Sequence, residues 1–166
     1  KNIKVGKNNS PNIIYILADD LGYGDISVFN LNGKIKTPNI DQLAKEGMMF
    51  TDAHTSSSVC TPTRYGILTG RYNWRSTLKK GVLTGKSKAL IPNSRTTIAS
   101  MLTKQSYKTA FIGKWHLGWD WTMKNKEDKS GEGWDAEDFD NIDFSKPIKN
   151  GPKDLGFDYS YGHSGS

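Results

Sequence analysis

The stretch Asn12-Ile13-Ile14-Tyr15-Ile16-Leu17-Ala18-Asp19-Asp20-Leu21-Gly22-Tyr23-Gly24 decides the fold class. A continuous apolar, β-branched run stops at two aspartates and a glycine-bearing turn. That pattern predicts a central parallel strand buried on both faces, because only a strand covered from both sides dispenses with polar alternation. In open α/β sheets ligands bind just beyond the carboxyl ends of such strands, where Asp19 and Asp20 would sit.

Outward from this stretch, strand and helix signals alternate. Thr37-Pro38-Asn39-Ile40-Asp41-Gln42-Leu43-Ala44-Lys45-Glu46-Gly47 reads as a helix, with Thr37 as N-cap, Pro38 at the first helical position and Gly47 as its stop. Residues 48–53 read as a second strand. A helix starts near Cys60 and runs through Tyr65, Ile67 and Leu68 to Gly70. Another covers residues 97–105, with Ile98, Met101 and Leu102 on one face, and feeds a third strand at 108–113 that ends in Lys114-Trp115-His116-Leu117-Gly118. Three strand-then-loop units separated by helices define an α/β fold: a mixed, mostly parallel sheet flanked by helices, with polar residues gathered at one edge.

Residues 1–10 are polar and without period, and form an N-terminal arm containing the short sequon Asn8-Asn9-Ser10. Residues 11–166 form the domain itself. Within it, residues 120–145 carry 9 Asp and Glu against 3 Lys, together with Trp121, Trp134 and Phe139. They read as a long surface insertion, since a disordered linker would leave those aromatics nothing to pack against.

At 166 residues the chain is about one domain long, yet only 35% of it is hydrophobic. That share fits a piece of a larger fold whose core further residues complete. No run approaches the roughly 20 apolar residues of a membrane span, and Lys1-Asn2-Ile3-Lys4 is not followed by the apolar region of a signal peptide. A single cysteine excludes a disulfide framework and a cysteine-rich zinc site. The net charge of +6 combines opposite regions, residues 1–119 carrying 17 Lys and Arg against 6 Asp and Glu. A basic body suits an anionic partner, either a sulfated or phosphorylated small molecule or an acidic surface, and equally a solvated basic face. Nucleic acid fits less well, because no basic helix, aromatic RNA-binding signature or zinc-finger spacing is present.

Three groups of residues could carry chemistry. Adjacent carboxylates at Asp19 and Asp20 suit a hard divalent cation, Ca²⁺ or Mg²⁺, although a solvated acid pair fits the same residues, and two carboxylates cannot complete six to eight oxygen ligands. In Cys60-Thr61-Pro62-Thr63-Arg64, residue 60 lies at the positive end of a helix and Arg64 returns to the same face one turn on. Anionic character at position 60 is therefore favoured, as in an activated nucleophile, while a small buried thiol is the plain alternative. Lys114 and His116 are two residues apart at a strand end and could address one site. His54 and His163 have no evident partner near them in sequence and read as structural.

Taken in order, these residues resemble the N-terminal part of a type I sulfatase of the alkaline phosphatase-like superfamily. Five blocks carry the resemblance: residues 11–25 with Asp19-Asp20-Leu21-Gly22, Thr37-Pro38-Asn39-Ile40-Asp41, Cys60-Thr61-Pro62-Thr63-Arg64 with Leu68-Thr69-Gly70-Arg71-Tyr72, Gly113-Lys114-Trp115-His116-Leu117-Gly118, and Gly156-Phe157-Asp158. The resemblance implies that Cys60 is oxidised by a formylglycine-generating maturation enzyme to formylglycine, whose aldehyde hydrate is the nucleophile. It implies Asp19, Asp20 and residue 60 as ligands of Ca²⁺, with Mg²⁺ as an alternative. Arg64 would hold the hydrate in its reactive form, Lys114 would contact both the sulfate and residue 60, and His116 would hydrogen-bond the hydrate oxygen.

The activity so implied is sulfate ester hydrolysis on a sulfated small molecule or glycan. A phosphate or phosphonate ester hydrolase of the same superfamily, or an inactive sulfated-glycan-binding module, are the alternatives. Family members are longer and carry further metal and sulfate ligands downstream. The chain is thus expected to be a fragment that needs the remainder of its own chain and has little activity alone. A periplasmic or secreted location, or a lysosome-like compartment, goes with the resemblance.

Overall fold

The computed structural model describes residues 10–124 and 139–165, and the chain divides into two units, Lys1–Met49 and Phe50–Ser166. The arm and its sequon fall at residues 1–9 almost entirely outside the described residues, as do the centre of the acidic insertion and its Trp134.

In the first unit, helix α1 spans Pro38–Glu46, bounded as expected by Thr37 and by Gly47, whose N–H reaches the Leu43 carbonyl at 2.9 Å. Thr37 caps it indirectly. Its hydroxyl oxygen accepts the Ser27 N–H at 2.9 Å, and Asp41 in the first turn accepts the Ser27 hydroxyl at 2.7 Å and the Val28 N–H at 3.0 Å. These donors, the Ser27 hydroxyl foremost, hold the Asp41 carboxyl below the ordinary aspartate range. The apolar run at residues 12–18 differs from its expectation. It carries no strand, and Ile14 and Ile16 are each 84% exposed. Apolar side chains specify a buried strand only where another edge is present to pair with, and the described sheet contains two strands, neither of them this one. Residues 48–53 likewise carry no strand, with Met48 and Phe50 exposed.

In the second unit, α2 spans Cys60–Thr69 and ends on Gly70, which takes the left-handed conformation (φ 63°) and returns its N–H to Gly66. Helix α3 is shorter than expected, Ile98–Thr103, because the chain turns away after it through Ser106 at φ 66°. Its start is a reciprocal cap: the Thr97 hydroxyl accepts the Ser100 N–H at 3.1 Å, and the Ser100 hydroxyl accepts the Thr97 N–H at 2.9 Å. The buried position is Ala99, while Ile98 and Met101 are exposed. Strand β1, Ala110–Lys114, pairs in parallel with β2, Tyr159–His163, in a register that sets Lys114 opposite His163. Glycines at 113 and 162 face one another, and a Cβ at Gly162 would fall 1.8 Å from the Gly113 carbonyl oxygen.

The core gathers Tyr65 of α2, Trp115 and Leu117 from the turn after β1, Trp119, Ile91 and Leu155. Phe111, Trp115 and Phe157 meet edge to face, with ring centroids 5.0 to 6.3 Å apart. Burying Leu117 alone is worth about 2 kcal/mol. This core clamps α2 against the exit of β1. At the base of the insertion, Asp120 bridges Lys149 and Met123 bridges Ile142, and the Trp121 indole N–H donates to the Gly85 carbonyl at 2.9 Å. That aromatic of the insertion does pack on the core.

One acid ties the two strands at their starts. Asp158 accepts the Thr109 N–H at 2.9 Å, while the Thr109 hydroxyl oxygen accepts the Asp158 N–H at 3.0 Å. The Thr109 N–H, aided by Lys108, holds the Asp158 carboxyl below the ordinary aspartate range. A depressed folded-state pKa contributes stability that is fully present above about pH 4 and is lost as pH falls through the lowered value. Asp158→Asn is therefore expected to lower the thermal midpoint of the full-length protein at pH 7 and to narrow that difference towards pH 3. Parallel melts at the two pH values check this, and an unchanged difference would contradict it.

Candidate functional site

Residue 60 opens α2. Val59 precedes it in extended conformation, so the first-turn N–H groups point out of the helix end beside Cys60, whose side chain is half-buried. Pro62 falls in the first turn, where its missing N–H removes no helical bond. Thr61, Pro62, Thr63, Arg64 and Tyr65 are all buried, which makes the first half of this helix central rather than amphipathic.

Arg64 is buried one turn after residue 60, and its Nη1 donates to the main-chain carbonyl of Lys114. This bond joins the helix bearing residue 60 to the strand end bearing Lys114. Beyond β1 the pairing continues, with Trp115 N–H on the His163 carbonyl at 2.9 Å and His116 N–H on the Ser164 carbonyl at 2.8 Å. His116 is 1% exposed and takes φ 54°, a left-handed conformation costing about 1–3 kcal/mol in a residue other than glycine. Its Nε2 lies 2.7 Å from the Leu83 carbonyl, and the Leu83 N–H donates to the Thr61 hydroxyl at 3.2 Å. Cys60, Arg64, Lys114 and His116 thus belong to one framework in the second unit. The helix end and the guanidinium make its electrostatics suited to an anionic group.

Asp19 and Asp20 lie in the first unit. Both are exposed at the end of the apolar run, and Asp20 is left-handed at φ 59°. Among the described residues no cluster of three or more His, Cys, Asp or Glu forms a metal centre. The two carboxylates are hard oxygen donors that fit Ca²⁺ or Mg²⁺ in kind, and in number they supply part of a shell of six to eight. No helix among the described residues is long and apolar enough to cross a membrane.

Two features escaped the sequence. Leu83 and Thr61 act at the site through backbone and hydroxyl, and nothing in a leucine marks its carbonyl as a histidine acceptor. His54 is paired, its Nε2 lying 2.8 Å from Asp52, and an aspartate two residues before a histidine was a readable signal. His163 stands opposite Lys114 with its ring on the Gly165 carbonyl.

The turn after His116 depends on Gly118. It takes φ 67°, and a Cβ there would lie 2.0 Å from the Lys88 carbonyl oxygen. Gly118→Ala is expected to destabilise the full-length protein by about 3 kcal/mol, combining left-handed strain with overpacking. Denaturant unfolding measures this, and a loss below about 1 kcal/mol would show that the turn is not tightly constrained.

The sulfatase family matches residues 11–165, and the chain belongs to that family. It is 40% identical over 165 residues to an N-acetylgalactosamine-6-O-sulfatase of Bacteroides thetaiotaomicron, covering 96% of this chain and 29% of that protein. To arylsulfatase A of Homo sapiens it is 45% identical over 108 residues, covering 65% of this chain and 21% of the relative. A solved structure concerned with glycosaminoglycan metabolism by Bacteroides thetaiotaomicron superposes with TM-score 0.77 at 38% identity, covering 94% of this chain and 28% of that one. A sulfatase from Pseudoalteromonas sp. gives 0.60 at 34%, covering 90% and 25%. The chain spans less than a third of the length of each of these. Its fold is that of the N-terminal part of a sulfatase catalytic domain, α/β and alkaline phosphatase-like.

Proposed function

We propose that the full-length protein hydrolyses sulfate esters, with a sulfated carbohydrate as substrate. The observation that carries this reading is the bond from Arg64 to the Lys114 carbonyl, which holds a buried guanidinium one turn from residue 60 and ties it to the strand end bearing Lys114 and His116. The relative named for a sulfated amino sugar and the solved structure concerned with glycosaminoglycan metabolism support a carbohydrate.

Cys60 is matured to formylglycine; one hydroxyl of its hydrate attacks sulfur in line as the S–O bond to the ester alcohol breaks and the alcohol leaves, and the second hydroxyl then expels sulfate while restoring the aldehyde. Arg64 favours the ionised form of residue 60. Lys114 draws the sulfate oxygens towards the helix end, whose N–H groups add to the same field. His116 hydrogen-bonds residue 60 and accepts the proton released as the covalent sulfate is expelled. Asp19 and Asp20 would hold Ca²⁺, with Mg²⁺ as the alternative, and the bound cation would supply positive charge to stabilise charge on the sulfuryl oxygens. The resemblance adds residue 60 and ligands from the remainder of the chain to that set. The reading brings in a formylglycine-generating maturation enzyme as partner, and a periplasmic, secreted or lysosome-like location is consistent with the bacterial and mammalian relatives.

Matched aryl sulfate and aryl phosphate esters, given to full-length protein from a host able to mature sulfatases, test the reading. Preference for the sulfate by at least about 100-fold in kcat/KM is expected, roughly 3 kcal/mol of transition-state discrimination. Preference for the phosphate would assign a phosphohydrolase. Tight, salt-sensitive binding of sulfated glycan without turnover would assign a binding module.

A further inference from the structure

The geometry points to Thr61 as a positioning residue that fixes the orientation and tautomer of His116 through Leu83, an inference that deepens the proposed reaction and rests on it. Thr61 has no exposed surface, and its hydroxyl oxygen, 3.2 Å from the Leu83 nitrogen, accepts that N–H. The carbonyl of the same Leu83 lies 2.7 Å from Nε2 of His116, which is 1% exposed. A carbonyl only accepts, so Nε2 carries the proton, and in the neutral ring Nδ1 carries the lone pair. The imidazole is held from its backbone as well, by the N–H bond to Ser164.

Leu83 is therefore a main-chain bridge between the neighbour of residue 60 and the histidine assigned to act on residue 60. Its two polar groups are used at opposite ends, and a shift of one displaces the other. Thr61 fixes the donor end. A valine at 61 keeps the shape but leaves the Leu83 N–H without its partner, freeing that loop to move and with it the carbonyl that selects the tautomer. Serine restores the acceptor.

Full-length wild type, Thr61→Val and Thr61→Ser are compared, with kcat normalised to the aldehyde content of each sample because residue 61 lies inside the C-x-P-x-R block. Thr61→Val is expected to lower kcat roughly 10- to 100-fold with KM changed less than about twofold, and Thr61→Ser to recover most of the loss. Nitrogen NMR of histidine-labelled wild type is expected to show His116 protonated on Nε2, and the valine variant to show a mixture. A His116→Gln sample of the same full-length protein, which lacks that ring, assigns its signals in the spectrum. Protonation on Nδ1 in the wild type, or a valine variant indistinguishable from wild type in kcat and spectrum, would overturn the inference. Where valine prevents folding, Thr61→Ala takes its place with the same expectations. A wild type that hydrolyses no sulfate ester would defeat the proposed reaction instead, and the NMR comparison would then decide the role of Thr61 alone.

Discussion

Cys60→Ala in the full-length protein is expected to reduce sulfate release by about 10⁴-fold or more, because the alanine methyl can be neither oxidised to an aldehyde nor hydrated into a nucleophile. The change should leave the fold intact. Cys60 is the first residue of α2 and only half-buried, and the helix there is set by Val59 and the buried block from Thr61 to Tyr65. Sulfate release assays and thermal melts on the same sample separate the two effects. An alanine variant retaining more than about a tenth of wild-type turnover would place the nucleophile elsewhere.

Arg64→Lys is expected to lower kcat by roughly 10²- to 10³-fold and to cost about 1–3 kcal/mol of stability. Lysine keeps the charge but loses the planar fork that donates to the Lys114 carbonyl. Its shorter side chain does not reproduce that bond, and the strand end carrying Lys114 and His116 loses its direct side-chain tie to Arg64 of α2. The activity loss should exceed what the stability loss explains, so kcat is compared at a temperature where both proteins are fully folded. Equal turnover there would reduce Arg64 to a structural cation.

The parts of this fold legible in the sequence are those whose cause is local. Thr37, Pro38 and Gly47 bound α1, and Gly70 ends α2, because capping chemistry depends on a few neighbouring residues. The run at residues 12–18 shows the reverse. Its apolar character is a demand for partners, and periodicity cannot report whether they are at hand. Strand β2 was hidden because Tyr159-Ser160-Tyr161-Gly162-His163 has neither an apolar run nor a glycine-free centre. Its glycine is required by the close approach of Gly113, a contact between residues 49 apart.

The site divides along the same line. Residues 60 and 64 are one helical turn apart, and 114 and 116 share a strand end, so each pair could be read by spacing. Their joining could not, since Arg64 reaches a backbone carbonyl 50 residues away and His116 one 33 residues away. Carbonyls occur at every residue and carry no sequence signature. The hydroxyl of Thr61 was visible inside its motif, but its function at Leu83 arises only once the loop folds back.

The central claim is that residue 60 becomes an aldehyde. The mass of the proteolytic peptide containing it, taken from full-length protein made in a host able to mature sulfatases, tests this most directly. The account predicts the loss of sulfur and two hydrogens and the gain of one oxygen, with a hydrate form alongside. An intact thiol in that host, beside a control sulfatase that is converted, would contradict it.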